Sequence, residues 1–329
     1  MGTNGKLKVG MYWASSCGGC DISLLEIGPR LLDLIKIADV VFWPCAADFK
    51  YQNVANYPDG YMDVCFYNGG IRNSEQEEVA RLLRKKSKTL IGYGACAAEG
   101  GIPALANLKS RAEIYDVVYH TNPSLDNRDG VEPQPSVETP VGTLEIPTFY
   151  PGVLRLKDIV PVDYEIPGCP PQADRVWESI QAVVTGAVPP RNAALKVGCT
   201  GKTVCDECVL EKKLVKIKQF KRHHEFRPEP GWCLLEQGVL CMGPATRSGC
   251  GALCLKAGMR CEGCYGPPAN AEDQGRVHDR RPGRLAGCPE RRPGAGDGRT
   301  DRGSNRDLLP IQHVLELHES GAMRRRRPA

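Results

Sequence analysis

Residues 7–21 read LKVGMYWASSCGGCD, an apolar run followed by a loop of small residues that ends in a Cys-x-x-Cys pair. The apolar run has the length of one buried β-strand and is far too short to span a membrane. A helix pattern follows over residues 21–35, and Pro29 is expected to break or kink it. The stretch therefore predicts a strand, a cysteine-bearing loop and a helix in succession, as in α/β proteins.

The same alternation continues through the first half of the chain. Strand patterns cover residues 8–13, 38–43, 62–67, 89–93 and 159–166, and a helix pattern covers residues 172–185. Ser74 and Glu77 have the spacing of a capping box, which predicts another helix up to about residue 86. Residues 124–151 are rich in Pro and Gly and are predicted to form a long loop. We therefore expect a flavodoxin-like, open parallel α/β sheet over residues 6–190.

The second half of the chain has a different composition. Over residues 191–268 the strand and helix periodicity weakens, and Cys, Gly and Pro dominate. Such a segment buries little apolar core of its own and would need internal cross-links, which metal clusters can provide. We predict a second domain over residues 191–268 that is mostly irregular with some helix.

Residues 269–329 form a tail rich in Arg, Gly and Pro. Residues 276–329 contain 13 Arg and no Lys against 4 Asp and 3 Glu, a net charge of +6, so the remainder of the +4 chain carries −2. One interpretation is an out-of-frame translation of a GC-rich gene, and the other is a disordered basic arm. Neither interpretation predicts a fold for this tail.

Twelve of the 16 cysteines fall into three groups of four. Four thiolates are what a cubane [4Fe–4S] cluster needs, whereas zinc also binds four thiolates. The chain start carries no export signal, so we expect a cytoplasmic protein whose cysteines bind metal rather than form disulfides. The first group follows strand ends, where the ligands of open α/β sheets bind. The groups are Cys17, Cys20, Cys96 and Cys169; Cys205, Cys208, Cys233 and Cys241; and Cys250, Cys254, Cys261 and Cys264.

Four cysteines remain outside these groups. Cys65 lies within a strand pattern and is predicted to belong to the core. Cys199 lies close enough to Cys205 to compete as a ligand, whereas Cys45 and Cys288 have no evident partner.

The motifs around the cysteines resemble those of the small, iron–sulfur subunit of [NiFe] hydrogenases, in particular the F420-non-reducing, methyl-viologen-reducing group. The resemblance covers residues 6–268. It is carried by Ser16-Cys17-Gly18-Gly19-Cys20, Gly94-Ala95-Cys96-Ala97, Pro167-Gly168-Cys169-Pro170-Pro171, Cys205-Asp206-Glu207-Cys208, Cys241-Met242-Gly243-Pro244-Ala245-Thr246 and Cys261-Glu262-Gly263-Cys264-Tyr265-Gly266-Pro267.

The resemblance implies three [4Fe–4S] clusters. The first group would hold the proximal cluster, the group from Cys250 to Cys264 the medial cluster, and the group from Cys205 to Cys241 the distal cluster. Many relatives have His where this chain has Cys205. Hydrogen would be cleaved on a large [NiFe] subunit, and electrons would pass from the proximal through the medial to the distal cluster. No side chain of this chain would act as a catalytic acid or base.

The resemblance also implies the partners. These would be the hydrogenase large subunit and an electron-accepting iron–sulfur subunit or heterodisulfide reductase, with no nucleic acid and no membrane span. Two alternatives stay open at this point. One is a zinc-stabilised binding module whose basic tail contacts nucleic acid, and the other is a subunit like the quinone-side subunit of complex I.

Overall fold

The computed structural model describes residues 5–186, 196–222, 224–269, 271 and 274. The described residues divide into two compact units, one within residues 1–197 and the other from residue 198 onward. Within the first unit, Lys196 forms a parallel β-bridge with Glu165. The predicted tail from residue 275 onward, including Cys288, lies outside the described residues.

The first unit contains all of the strands found among the described residues. They are β1 (Leu7–Trp13), β2 (Ala38–Phe42), β3 (Met62–Asn68), β4 (Ile71–Asn73), β5 (Ser87–Tyr93), β6 (Ser136–Thr139), β7 (Gly142–Glu145), β8 (Phe149–Leu154) and β9 (Tyr164–Ile166). Its α-helices are α1 (Gly19–Leu25), α2 (Arg30–Ile37), α3 (Tyr51–Ala55), α4 (Ser74–Lys86), α5 (Ala95–Glu99), α6 (Arg111–Tyr115), α7 (Leu156–Ile159) and α8 (Ala173–Thr185), with a 3₁₀-helix at Pro103–Leu108 and a π-helix at Asp116–Thr121.

Five of these strands form one parallel sheet in the order β2-β1-β3-β5-β9. Alternate residues of β3 point to opposite faces, so Val64 and Phe66 join one buried cluster while Cys65 and Tyr67 join the other. Helices α1 and α8 contribute apolar side chains to the first cluster, and α3, α4 and α7 contribute to the second. The predicted parallel α/β sheet is confirmed.

Three local predictions need correction. Helix α4 is capped by Asn73, whose Oδ1 accepts from Gln76 N–H at 2.9 Å, and not by the predicted Ser74. The predicted loop over residues 124–151 contains the antiparallel hairpin β6–β7 and the start of β8. The last sheet strand is limited to β9, because α7 occupies the start of the predicted 159–166 segment and Pro161 has no N–H for a ladder.

The expected break in the first helix pattern is confirmed, since α1 ends at Leu25 and α2 begins at Arg30. The predicted helix over residues 172–185 is confirmed as α8, with Val176 and Ile180 buried. Among the described residues, no helix combines the length and the apolar character needed to cross a membrane.

The second unit has little regular structure. Its helices among the described residues are the short α9 (Val204–Glu207) and α10 (Leu253–Lys256), with one 3₁₀ turn at Gly243–Ala245. Cysteines form part of its buried core together with aliphatic side chains such as Val204 and Val239. The predicted cysteine-rich, mostly irregular region is therefore observed.

Candidate iron–sulfur sites

The first group of cysteines comes from three connections that follow sheet strands. Cys17 and Cys20 follow β1, Cys96 lies in α5 directly after β5, and Cys169 follows β9. Burial raises the pKa of Cys96 to about 12, and the thiols of Cys169 and Cys17 add to that rise. Burial and then the thiols of Cys96, Cys169 and Cys17 likewise raise the pKa of Cys20. The four thiols therefore lie near enough to repel one another as thiolates.

Glycines leave room for the sulfur atoms of this group. Gly94 has φ +85° and ψ 164°, a conformation essentially confined to glycine, and a Cβ there would overlap Cys20 Sγ. A Cβ on Gly101 would lie 2.8 Å from Cys96 Sγ. The N–H of Gly19 lies 3.4 Å from Cys17 Sγ, within hydrogen-bond reach of a thiolate. A larger residue at Gly94 or Gly101 would displace the thiols.

A buried polar cluster supports the Cys-x-x-Cys motif. The Asp21 carboxylate accepts hydrogen bonds from Trp43 Nε1 at 2.8 Å and from Asn68 Nδ2 at 2.5 Å. Ser16 Oγ donates to Asn68 Oδ1 at 2.6 Å, which ties the preceding loop to the end of β3. Burial raises the pKa of Asp21, and the two hydrogen bonds oppose that rise. The loop is thus fixed by side-chain contacts rather than by regular structure.

A second buried cluster holds the helix that carries Cys96. Lys196 forms an ion pair with Glu99 at the end of α5, and its Nζ lies 3.6 Å from Glu165. Lys157 Nζ lies 3.1 Å from the other oxygen of Glu165. Removing one partner of a buried ion pair typically costs about 3–5 kcal/mol. No local pattern in the sequence signals this cluster, because its members are far apart in the chain.

The second group contains Cys205, Cys208, Cys233 and Cys241. Burial raises the pKa of Cys205 to about 12, with contributions from the thiols of Cys241, Cys233 and Cys208. Burial raises the pKa of Cys241 to about 11, while the N–H groups of Cys261 and Gly243 lower it. These mutual effects show that the group is brought together.

Gly243 lies between two thiols of the second group. A Cβ on this residue would lie 3.3 Å from Cys205 Sγ and 3.5 Å from Cys241 Sγ. The glycine therefore keeps the space between these sulfur atoms open, as Gly94 does in the first group.

In the third group, the thiols of Cys250 and Cys254 lie near each other, as do those of Cys261 and Cys264. The Cys254 thiol is among the groups that raise the pKa of Cys250, after burial and Glu207. Burial raises the pKa of Cys261 as well, with the Cys241 thiol next in size and the Cys264 thiol smaller. Sequence reasoning predicted the members of the group, and the structure brings together each half of it.

The second and third groups also touch each other. Cys261 N–H donates to Cys241 Sγ at 3.4 Å, so the backbone of one group is hydrogen-bonded to a sulfur atom of the other. Nothing in the sequence signals this contact, because the two residues belong to different motifs.

Glu207 connects α9, which also contains Cys205, to the third group. Its two carboxylate oxygens accept from the N–H groups of Gly249 and Gly251, each at 2.9 Å. Both oxygens are thus used to fix the loop around Cys250, and charge-assisted bonds of this kind are stronger than neutral ones.

No three of the Cys, His, Asp and Glu side chains in the described part of the chain converge on a point where one ion could be held.

Three of the remaining cysteines lie in the described residues. Cys65 is fully buried in the sheet core, as predicted, and burial raises its pKa to about 12. Cys45 is exposed and Cys199 is half-buried. Cys288 is not described.

Comparison with known proteins defines the class of protein to which this chain belongs. Residues 17–183 match the family described as "NADH ubiquinone oxidoreductase, 20 Kd subunit". The solved [NiFeSe]-hydrogenase of Dm. baculatum shares the fold, with a TM-score of 0.53 at 18% identity over 83% of this chain and 98% of that chain. The solved structure shows a shared fold, and the family match defines the chain as an oxidoreductase subunit related to the 20 kDa subunit of NADH ubiquinone oxidoreductase.

Two curated relatives narrow the class. The iron–sulfur subunit of the F420-non-reducing hydrogenase of Archaeoglobus profundus is 38% identical over 275 residues, 82% of this chain and 85% of that protein. The vhu subunit of the F420-non-reducing hydrogenase of Methanocaldococcus jannaschii is 40% identical over 269 residues, with the same coverage of both chains. The chain belongs to this family, the small, iron–sulfur subunits of F420-non-reducing [NiFe] hydrogenases.

Proposed function

We propose that this chain is the electron-transfer subunit of a cytoplasmic [NiFe] hydrogenase and holds three [4Fe–4S] clusters. Its partners would be the catalytic large subunit and an electron-accepting iron–sulfur subunit or heterodisulfide reductase. The observation that carries the proposal is the convergence of Cys17, Cys20, Cys96 and Cys169 from three separate connections of the sheet.

The residues around the thiols fit such clusters. Gly94 and Gly243 leave space beside the sulfur atoms that a Cβ would fill. Backbone N–H groups lower the pKa of Cys241, and those of Ala252 and Leu253 lower the pKa of Cys250, so they would also stabilise cluster-bound sulfur. When bound, the clusters would supply one-electron redox chemistry. The contribution of the chain is ligation, spacing and tuning of the redox potential through hydrogen bonds and burial.

The raised pKa values of the thiols also suit this function. Burial and the neighbouring thiols raise the pKa of Cys20 and of Cys205, so that both thiols favour the neutral form in the absence of iron. Cationic iron would remove the repulsion between thiolates, and cluster binding would release protons. Each group is therefore arranged to be completed by a positively charged centre.

The proposal is tested by purifying the chain anaerobically with its large subunit. We expect about twelve iron and twelve sulfide ions per copy, from three four-iron centres, and nickel in the partner. Zinc without sulfide would support the zinc-stabilised module instead. Full iron without any nickel-containing partner, in a complex that reduces quinone, would support the complex I-like alternative.

A further inference from the structure

The segment that follows Cys208 is strongly basic. Residues 211–222 contain six Lys and Arg side chains and one acidic residue. Apart from the bridge residue Glu211, the segment forms no regular helix or strand, and its lysines are exposed. Within the described part of the chain, no carboxylate pairs with Lys216 or Lys218, which lie at its centre. The segment thus presents a cationic surface to solvent.

This basic strip, defined as residues 211–222, lies against the second group of cysteines. Lys212 Nζ donates to the backbone oxygen of Cys205 at 3.3 Å. At the start of the strip, Cys233 N–H donates to the oxygen of Glu211 at 2.8 Å. Two of the four proposed ligands of this cluster are therefore in direct contact with the strip.

The strip is held in a fixed conformation. Ile217 is 5% exposed and belongs to the core of the second unit. Lys221 N–H donates to Gly238 O at 2.8 Å. The buried Glu236 carboxylate accepts from the N–H groups of Lys213 at 2.8 Å and Leu214 at 3.0 Å. The lysines therefore project from a backbone that hydrogen bonds and the buried Ile217 hold in one conformation.

Leu214 stands out within the strip. Its backbone has φ +56°, which is rare for a bulky residue, and its side chain is 82% exposed. Trp232 Nε1 donates to Glu236 at 2.8 Å and so helps to fix the carboxylate that holds this conformation. The neighbouring Val215 is 40% exposed. A strained backbone that places a leucine in water, among lysines, is the arrangement of an interface with an apolar centre and a charged rim.

We propose that the basic strip is the docking surface for the electron acceptor, a redox protein with an acidic surface around a small apolar depression that receives Leu214. The inference rests on the proposed function, because it assigns the exit side to the second group of cysteines. Charge complementarity would steer the acceptor to the strip, and Leu214 would fix its orientation. The strip is held in place beforehand, which reduces the entropy lost on docking.

The surface suits a protein better than a nucleic acid. Single-stranded nucleic acids bind to basic grooves in which aromatic rings stack on the bases. Here Lys213 Nζ lies 4.6 Å from the centre of the Trp232 ring, and Lys221 Nζ lies 4.4 Å from that of Phe226, so each ring already has a cation on one face. The most exposed apolar side chain of the strip, that of Leu214, is aliphatic.

The test uses the hydrogenase complex that contains this chain, with hydrogen as donor. Each hydrogen molecule gives two protons and two electrons, which reduce two [4Fe–4S] centres of an acidic bacterial-type ferredoxin used as the probe. Benzyl viologen serves as a small acceptor that needs no docking surface. For the wild type, kcat/KM for the ferredoxin should fall about tenfold or more between about 20 and 300 mM salt, because screening weakens steering.

Two variants separate the charge from the apolar contact. K216E/K218E should lower kcat/KM for the ferredoxin about tenfold or more at low salt and flatten its salt dependence. L214N should lower it while leaving the salt dependence intact, and asparagine tolerates the left-handed backbone. The matched control is K85E/K109E, which changes the charge equally at two exposed lysines of the first unit. Benzyl viologen reduction should be unchanged in all of them.

The proposal is overturned if K216E/K218E and L214N reduce the ferredoxin like the wild type while viologen activity is normal. It is also overturned if the wild-type ferredoxin rate does not depend on salt, or if the reversal abolishes binding of a labelled oligonucleotide and leaves the ferredoxin rate unchanged. In each of these cases hydrogen-dependent viologen reduction shows that the proposed function itself stands. Loss of viologen reduction in the wild-type complex would instead refute the proposed function.

Discussion

The space beside Cys20 permits a sharp test of the first proposed cluster. Gly94→Ala would place a Cβ on Cys20 Sγ and force alanine into a backbone conformation that is essentially confined to glycine. The backbone cost is about 1–3 kcal/mol, and the overlap with sulfur adds about 1–3 kcal/mol. The total cost is about 2–6 kcal/mol from these two sources. Because movement of the Cys20 side chain would relieve this cost, its thiol should leave the ligating position.

The expected result is the loss of one cluster out of three. Iron in the anaerobically purified complex should fall from about twelve to about eight per chain, as one cubane contains four irons. Hydrogen-dependent viologen reduction should fall with it. Gly28→Ala is the matched control, since Gly28 also has a positive φ, +64°, but the nearest atom to its Cβ is 3.9 Å away. It should lose about 1–2 kcal/mol of stability and no iron.

The reasoning is refuted if Gly94→Ala keeps the iron content and activity of Gly28→Ala. Equal iron loss in both variants would also refute it, because the loss would then come from backbone strain in general. Far-UV circular dichroism checks that both variants remain folded, so that a lost cluster is not mistaken for a lost fold.

Three further predictions follow from single contacts. Cys96→Ser should remove about four irons per chain. Cys65→Ala, in the sheet core, should lower the thermal midpoint and leave the iron content unchanged. Similar iron loss in both variants would contradict the assignment of Cys96 as a cluster ligand. Glu207→Ala should lose two charge-assisted hydrogen bonds, each contributing about 1.5–3 kcal/mol to the free energy of unfolding. Glu207→Gln should lose about half as much free energy of unfolding, measured by anaerobic urea unfolding. Equal losses in the two variants would exclude a role for both carboxylate oxygens. The Tyr150 hydroxyl and then Arg81 lower the pKa of Glu77 below 4.5, so this contact stabilises the fold above that pH and is lost as the pH falls through the folded pKa. Tyr150→Phe should therefore reduce thermal stability at pH 7. As the pH falls below the folded pKa of Glu77, the variant should lose less further stability than the wild type does. A variant whose thermal midpoint runs parallel to that of the wild type at every pH would disprove this linkage.

The sheet could be predicted because its strands are short, buried and separated by clear turn signals. The placement of Cys17, Cys20 and Cys96 after strand ends followed from the rule that parallel strands end at one edge. The cap of α4 was misplaced by one residue, because Asn73 and Ser74 are both good capping residues and only the backbone decides between them. Local pattern thus determined the elements but not their exact ends.

Long-range contacts could not be predicted from the sequence. Lys196 and Glu99 form a buried ion pair although 97 positions separate them, and no spacing rule connects them. The hairpin β6–β7 was hidden for another reason, since nearly all its residues are exposed and show no apolar alternation to mark a strand. The strain at Leu214 likewise depends on the distant carboxylate of Glu236.

The two units differ in what their cores are made of, and this has a consequence for biosynthesis. The core of the first unit is aliphatic and aromatic apart from a few thiols, so it can form around its sheet before iron arrives. In the second unit Cys241 and Cys261 are core residues themselves, and Cys208, Cys233 and Cys250 pack against them. On the proposed function, iron supply would decide whether newly made second units mature or are degraded, so the abundance of the subunit would follow the iron status of the cell.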